Sequence, residues 1–411
     1  VILNRFLNFI PPQIQDAKSA TVQSLNPQTI PGEYIVFFKD DLPEMQRLDA
    51  ETLPTQSAGT RMSREAQNEM RESRKQVIKE MMGRVMTENG LAEREIRNTY
   101  DMGQLKGALL QARKEDIQKL KRDSRIALVE QNEVIALELN PGAKDRLIPS
   151  DDGPANEMAP YGVNNIGGAT DMTGSWNWVF IMDSGIDLDH PDLNVNASHS
   201  RSFLPNNGDP NDGFGHGTHV AGIIGAKDNG FGLLGVAAGA TLVSYRVLDE
   251  NGYGTKASLI DAITYLSGST VPGDIVNISL GTNKSEALDL AIATAKEQYG
   301  VHFAISAGNE GMNTSSFSPA AIRLPNVHIV GSVNANNQLS SFSNYGTNVN
   351  YLSYGEEVYS TYKDGTYCTL SGTSMAAPHV AGLLLVGGGT LKSTNNVVTL
   401  PSGNTGMVAH K

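Results

Sequence analysis

Four stretches of this 411-residue chain carry side chains whose types and surroundings suit acyl-transfer chemistry. Asp183 closes the apolar run Trp178 to Met182 and is followed by Ser184-Gly185-Ile186-Asp187. His216 sits in Gly215-His216-Gly217-Thr218-His219-Val220-Ala221-Gly222. Asn309 follows the apolar run Val301 to Ile305, inside Ser306-Ala307-Gly308-Asn309-Glu310-Gly311. Ser374 stands where the turn Leu370-Ser371-Gly372-Thr373 meets the apolar run Met375-Ala376-Ala377-Pro378-His379-Val380-Ala381-Gly382. A carboxylate buried at a strand end is costly unless something donates to it, and a histidine ring N–H is a suitable donor. The other ring nitrogen can take the proton of a serine hydroxyl and so activate it as a nucleophile. A serine at a helix start also offers a backbone N–H at the positive end of the helix dipole, and an asparagine amide adds a second donor to a developing oxyanion. Pro378 is expected in the first turn of that helix, where proline is tolerated. Alone, each stretch has a plainer reading, as an N-cap serine or a turn aspartate or asparagine. Their joint presence points to a nucleophilic site.

Two neighbouring candidates are set aside. His216 and His219 lack the i, i+4 spacing and intervening glutamate of helical zinc ligands. Cys368, the only cysteine, excludes an internal disulfide and reads as a small buried strand residue, because no helix start or Gly-rich turn presents it. His379 reads as a structural residue of the Ser374 helix.

The elements that must position these residues follow from apolar patterning. Trp178–Met182, Leu242–Leu248, Ile275–Ile278, Val301–Ile305 and Val327–Val333 are short runs rich in Val and Ile, with helical stretches at Thr218–Ala226, Thr255–Leu266 and Ser285–Tyr299. Apolar strands alternating with helices predict an α/β fold, a parallel sheet with helices on both faces and reactive residues at the strands' carboxyl ends. Upstream, Tyr34–Phe38, a helix over Ser63–Met86, Ile96–Tyr100, Gln104–Leu110, a helix over Lys114–Lys121 and a strand within Ile126–Leu137 give the order β-α-β-β-α-β, a small ferredoxin-like α+β domain. It has no His or Cys and no chemistry of its own.

Charge divides the chain in the same place. Residues 1–150 carry 22 acidic and 22 basic side chains, whereas residues 151–411 carry 22 acidic and 10 basic, so the whole net charge of −12 lies in the second part. That acidity argues against nucleic acid as a partner and leaves carboxylates for calcium. No apolar run is long enough to cross a bilayer, so no membrane role is expected. The Pro-, Gly- and Asp-rich stretch Asn140–Glu157 reads as a connector.

Asp183-Ser184-Gly185, His216-Gly217-Thr218-His219, Ala307-Gly308-Asn309 and Gly372-Thr373-Ser374-Met375-Ala376, in the order Asp, His, Ser, closely resemble the motifs of the subtilisin-like serine proteases. The likeness spans about 158–390, and the short loop from Asn309 to Pro319 is similar to that of the proteinase K branch. It implies a triad of Asp183, His216 and Ser374, with Asn309 in the oxyanion hole. Pro31–Phe38 and Val129-Glu130-Gln131 resemble the opening and closing strands of the family's inhibitory propeptide. The implied organisation is a signal remnant or linker over 1–29, a propeptide inhibitor and folding assistant over 30–140, a connector with the maturation site over 141–157, and a subtilisin-like catalytic domain over 158–411.

By the same resemblance, Gly252, Tyr253 and Gly254, and Ser279, Leu280 and Gly281, are backbone edges that pair with an extended polypeptide substrate. Leu280 with Ala307 and Gly308 would line a P1 pocket that is apolar and holds no placed charge. Broad endopeptidase activity favouring apolar or aromatic P1 follows. Asp192, the Asn229 side chain and the carbonyls of Lys227, Phe231 and Leu233 match a family calcium site, the plain alternative being an Asp-Asn-Gly turn; Asn350 replaces the usual Asp of a second one. The polar tail after Gly387 is shorter than the family's helix-plus-strands ending. A monomer is expected, secreted or in a vacuolar or lysosome-like compartment; sequons at Asn196, Asn283 and Asn313 fit that. The competing readings are a catalytically dead relative held by its inhibitory unit, and an esterase. The latter lacks its Gly-x-Ser-x-Gly elbow around Ser374.

Overall fold

The computed structural model describes residues 28–52, 63–91, 95–137, 153–205 and 208–411. Residues 1–27 of the signal-remnant reading and 141–152 of the maturation connector lie outside the described residues. In the N-terminal part, β1 (Thr29–Phe38), α1 (Pro43–Thr52), α2 (Arg64–Glu88), β2 (Ile96–Met102), β3 (Leu105–Gln111), α3 (Lys114–Leu120) and β4 (Ile126–Ala136) follow in order. Only α1 is absent from the sequence reading. The sheet runs β4-β1-β3-β2 with every neighbour antiparallel. Side chains alternate along β1, so its two faces meet different partners. Val36 and Phe38 pack with Ile78, Met82 and Val85 of α2. Ile35 and Phe37, with Tyr100 and Leu105, join the larger core of the second part. A sheet apolar on both faces needs this second cover.

The second part is built on a nine-stranded mixed sheet. Its strands are β5 (Val179–Asp183), β6 (Arg201–Ser202), β7 (Leu242–Arg246), β9 (Ile275–Ile278), β10 (His302–Ser306), β11 (Val327–Val333), β12 (Val349–Tyr354), β15 (Lys392–Thr399) and β16 (Thr405–His410). β8 (Tyr253–Thr255) instead pairs with β4, and β13 (Val358–Tyr362) with β14 (Thr366–Leu370) forms a separate hairpin. The order is β15-β16-β12-β11-β10-β9-β5-β7-β6, all parallel except β15 against β16. Strands covered on both faces need continuous apolar runs, and all five residues of β5 are buried.

Four helices matter to the site: α4 (His216–Gly225), α5 (Lys256–Tyr265), α6 (Glu286–Tyr299) and α7 (Thr373–Val386). Thr255 caps α5 by accepting from Ser258 N at 3.0 Å, and Ser285 caps α6 by accepting from Leu288 N at 3.2 Å. Gly300 in the left-handed region ends α6. Pro378 lies in the second turn of α7 rather than the expected first. Its missing N–H would have bonded the Ser374 carbonyl, and the Ser279 hydroxyl donates there instead, at 2.9 Å. The polar tail after Gly387 forms β15 and β16, which extend the sheet and bury Val408 and Ala409.

Candidate active site

Asp183 ends β5 and His216 opens α4, so the approach of that helix start to that strand end decides their geometry. Gly217 permits it, because a Cβ there would lie 2.0 Å from the Gly185 carbonyl oxygen. His216 Nδ1 donates to Asp183 Oδ1 at 2.8 Å, and Ser184 N donates to the same oxygen at 2.7 Å. Burial alone would lower the His216 pKa, but the adjoining Asp183 carboxylate and the nearby Asp212 outweigh it and hold it above 6.5. The imidazolium is therefore favoured where a proton would arrive.

Asp212 was not singled out from sequence. Its buried carboxylate accepts from Ser184 Oγ, Phe214 N and Gly215 N, and from Thr218 N and Oγ1. It thus caps the α4 start and ties it to the Asp183 turn, since Ser184 Oγ also accepts from Gly217 N at 3.0 Å. An acid shortly before a Gly-rich helix start was the available signal. His219 turns inward as expected: its Nε2–H lies 3.1 Å from Val358 O and 3.2 Å from Cys368 O, which fixes α4 to the β13–β14 hairpin. Burial pushes its pKa down to about 3, so it is neutral. Cys368 is a buried strand residue whose thiol burial pushes up to about 12, which suits no nucleophile. His379 is buried on α7 and donates through Nδ1 to Met375 O at 2.8 Å.

Asn309 and Ser374 meet at the start of α7. Asn309 Oδ1 accepts from Thr373 N at 2.9 Å and Thr373 Oγ1 at 3.0 Å, which leaves its NH₂ for the cleft. A Cβ built on Gly372 would lie 3.5 Å from Asn309 Nδ2 and 3.7 Å from Ser374 N, so these two donors border one spot. Thr373, a hydroxyl residue at the first helical position, is a further contributor missed from sequence. Ser374 Oγ donates to Ser279 O at 2.9 Å; among the described residues it makes no hydrogen bond to His216. Catalytic hydrogen bonds are often slack without substrate.

Ser279, Leu280, Gly281, Ala307, Gly308, Asn309 and Ser374 line one cleft. Glu310 lines it too, with its carboxylate on the Asn344 amide at 2.5 Å. The cleft therefore has a carboxylate among its lining residues, one the sequence reading did not single out. Gly252, Tyr253 and Gly254 lie on the neighbouring edge, and β4 occupies it: Ala136, Ile135 and Val134 pair antiparallel with Tyr253, Gly254 and Thr255. Leu137 N donates to Gly252 O at 3.0 Å, and Leu137 itself lines the cleft.

The calcium candidates gather at a second place. Asp192 is fully buried, and its oxygens accept from Asn229 Nδ2 at 3.1 Å, Leu233 N at 2.8 Å and Tyr367 Oη at 3.2 Å. All three donors are neutral, and burial pushes its pKa up to about 6. Glu157, another residue missed from sequence, accepts from Asn229 N at 2.7 Å and Gly230 N at 3.0 Å. Among the described residues no three His, Cys, Asp or Glu side chains gather as a metal cluster. A buried carboxylate whose side-chain oxygens have only neutral donors nonetheless fits an oxygen-ligating cation, for which carbonyls and amides serve as well as carboxylates. The Asn350 side chain is engaged by Ile329 N at 2.8 Å.

An acid-held imidazole, a hydroxyl at a helix start and paired N–H donors, all at carboxyl ends of a parallel sheet, meet the requirements of serine-dependent acyl transfer. The comparisons agree with that class. A model of the subtilase family matches residues 177–387. Subtilisin E of Bacillus subtilis is 37% identical over 278 residues, covering 65% of this chain and 66% of the relative. The subtilisin of Bacillus pumilus is 40% identical over 235 residues, covering 55% and 83%. A solved cold-adapted subtilisin-like serine proteinase superposes with a TM-score of 0.52 at 32% identity, covering 61% of this chain and 97% of the other. The chain belongs to the subtilase family. With the Bacillus subtilis relative the match spans about two thirds of that protein's length, 66%.

Proposed function

We propose that the chain is a serine endopeptidase made as a zymogen, in which residues 30–140 act as an inhibitory propeptide over the cleft of residues 158–411. The observation that carries this reading is the course of β4, laid antiparallel along Tyr253–Thr255 and followed by Leu137 in the cleft that holds Ser374. An extended substrate would use the same edge. The hold is reinforced at two helix starts. Glu130 accepts from Ser285 Oγ and from Ala287 N of α6, and Asn132 Oδ1 accepts from Ala257 N of α5 at 3.0 Å. Lys256, buried at the α5 start, pairs with Glu130 at 3.0 Å and Glu133 at 2.8 Å.

In the mechanism, peptide N–H groups pair with Ser279 O and free the Ser374 hydroxyl, which then attacks the scissile carbonyl. His216 takes its proton and returns it to the leaving amine. Asp183 holds the Nδ1–H tautomer and stabilises the imidazolium. Asn309 Nδ2 and Ser374 N stabilise the oxyanion. Leu280, Ala307 and Gly308 favour apolar or aromatic P1 side chains, while Glu310 adds tolerance of a basic one. Calcium is the proposed structural ion, held by Asp192, the Asn229 side chain and the carbonyls of Lys227, Phe231 and Leu233, with Glu157 beside them; it neutralises the buried carboxylate. The proposed setting is extracellular, as a monomer.

Ser374→Ala in the full chain tests the reading. The variant is expected to fold, stay uncut and turn over no peptide; self-processing or turnover by it refutes the assignment.

A further inference from the structure

The N-terminal part also touches the catalytic part away from the cleft. α5 starts at the Glu130 and Asn132 contacts, and its ten residues carry its far end about 15 Å away. There Arg71 of α2 is buried, and its guanidinium donates to both Tyr265 O and Ser267 O. Tyr265 closes α5 and Ser267 follows two residues later, at the carboxyl end where the helix dipole is negative and terminal carbonyls lack intrahelical donors. The guanidinium carbon also lies 3.2 Å from the centre of the Tyr265 ring, and that of Arg201 lies 4.1 Å from the same ring. One turn earlier on α2, Asn68 Oδ1 accepts from Tyr265 Oη at 2.9 Å and from Arg201 Nη2 at 3.2 Å. Asp261, one turn before Tyr265 on α5, lines the same small cavity as Arg71 and Lys75.

We propose that the α5 end around Tyr265 is an exosite for a guanidinium carried on a helix, and that Arg71 in it keeps the N-terminal part seated after the connector is cut. This rests on reading that part as an inhibitor. The chemistry is specific. Both carbonyls accept from one guanidinium nitrogen, Nη2, a contact a lysine ammonium could also make, but the Tyr265 face suits the weakly hydrated guanidinium plane and not an ammonium. The occupant is this chain's own α2, because Asn68 and Arg71 present acceptor and donor from one helical face to complementary groups. The exosite contributes nothing to bond cleavage, so it governs the rate at which inhibition ends.

The test follows the lag between self-processing of the full chain and full peptidase activity, with activity normalised to titrated active sites. Arg71→Met is expected to shorten the lag roughly ten- to hundred-fold, the size expected for losing a buried charged hydrogen-bonding group. Final turnover per site should be unchanged, and Arg71→Lys should fall between. Glu130→Gln serves as the reference for the cleft-side contacts. If Glu130→Gln shortens the lag and Arg71→Met does not, the exosite is refuted and the inhibitor reading stands. If neither changes the lag, the inhibitor reading fails and the exosite falls with it. Should Arg71→Met not fold, Asn68→Ala decides: a shortened lag supports the exosite and an unchanged one overturns it.

Discussion

At the scale of single residues the site depends on who holds each donor. Asn309 is useful because Thr373 takes its carbonyl oxygen from two sides and turns the NH₂ toward the cleft. Asn309→Leu should lower kcat about 10²–10³-fold with KM little changed, in a steady-state peptide assay; a loss of this size is known from subtilisin, a member of the same family. In the proposed mechanism His216 acts as base only when neutral, and its pKa is raised above 6.5. The acid limb of activity should therefore lie above pH 6.5. Asp212→Asn, which removes one of the charges that raise it, should move that limb to lower pH in a kcat/KM profile. The proposed catalytic residues could be picked out in sequence because each sits in a short Gly-rich signature, and the structure brings Asp183 to His216 and Asn309 to Ser374. Thr373, Asp212 and Glu310 were less legible, because their roles depend on contacts to residues distant in sequence or on a wall of the folded cleft.

At the scale of elements, strand ends and helix starts were readable to within one or two residues where apolar runs were continuous. α1, the β13–β14 hairpin and the closing β15–β16 hairpin were not. Those segments are short and largely polar, with no continuous apolar run to mark them, and the strands pair chiefly within their own hairpins. Pro378 shows how a local rule can be right about chemistry and wrong about place. It frees the Ser374 carbonyl from the second turn of α7, and Ser279 Oγ takes it over. Ser279→Ala leaves that carbonyl without its donor, at a cost of about 1–3 kcal/mol that chemical denaturation would register. No change in stability would mean that the tether carries no load.

Over the whole molecule, buried groups set the response to pH and to metal. His219, His328 and His379 have pKa values pushed down to about 3, 4 and 4 by burial, against 6.5 in the unfolded chain. The unfolded state therefore binds more protons below pH 6.5, and the stability these groups contribute is complete above that pH and lost as pH falls toward 3–4. Asp192 acts in the opposite sense: with its pKa raised to about 6, its charging costs stability as pH rises through 4–6 unless a cation answers it. The rise in melting temperature on adding calcium to EDTA-treated protein should accordingly grow between pH 5 and pH 8; a pH-independent gain, or none, would remove calcium from Asp192.

The claim that Ser374 is the nucleophile is tested most directly by covalent labelling. A fluorophosphonate applied to the protein freed of its N-terminal part should add one label per chain, located on Ser374 by peptide mass mapping. The unprocessed Ser374→Ala chain should take none. A label on another residue, or no label on protein freed of residues 28–137 and still folded, would contradict it.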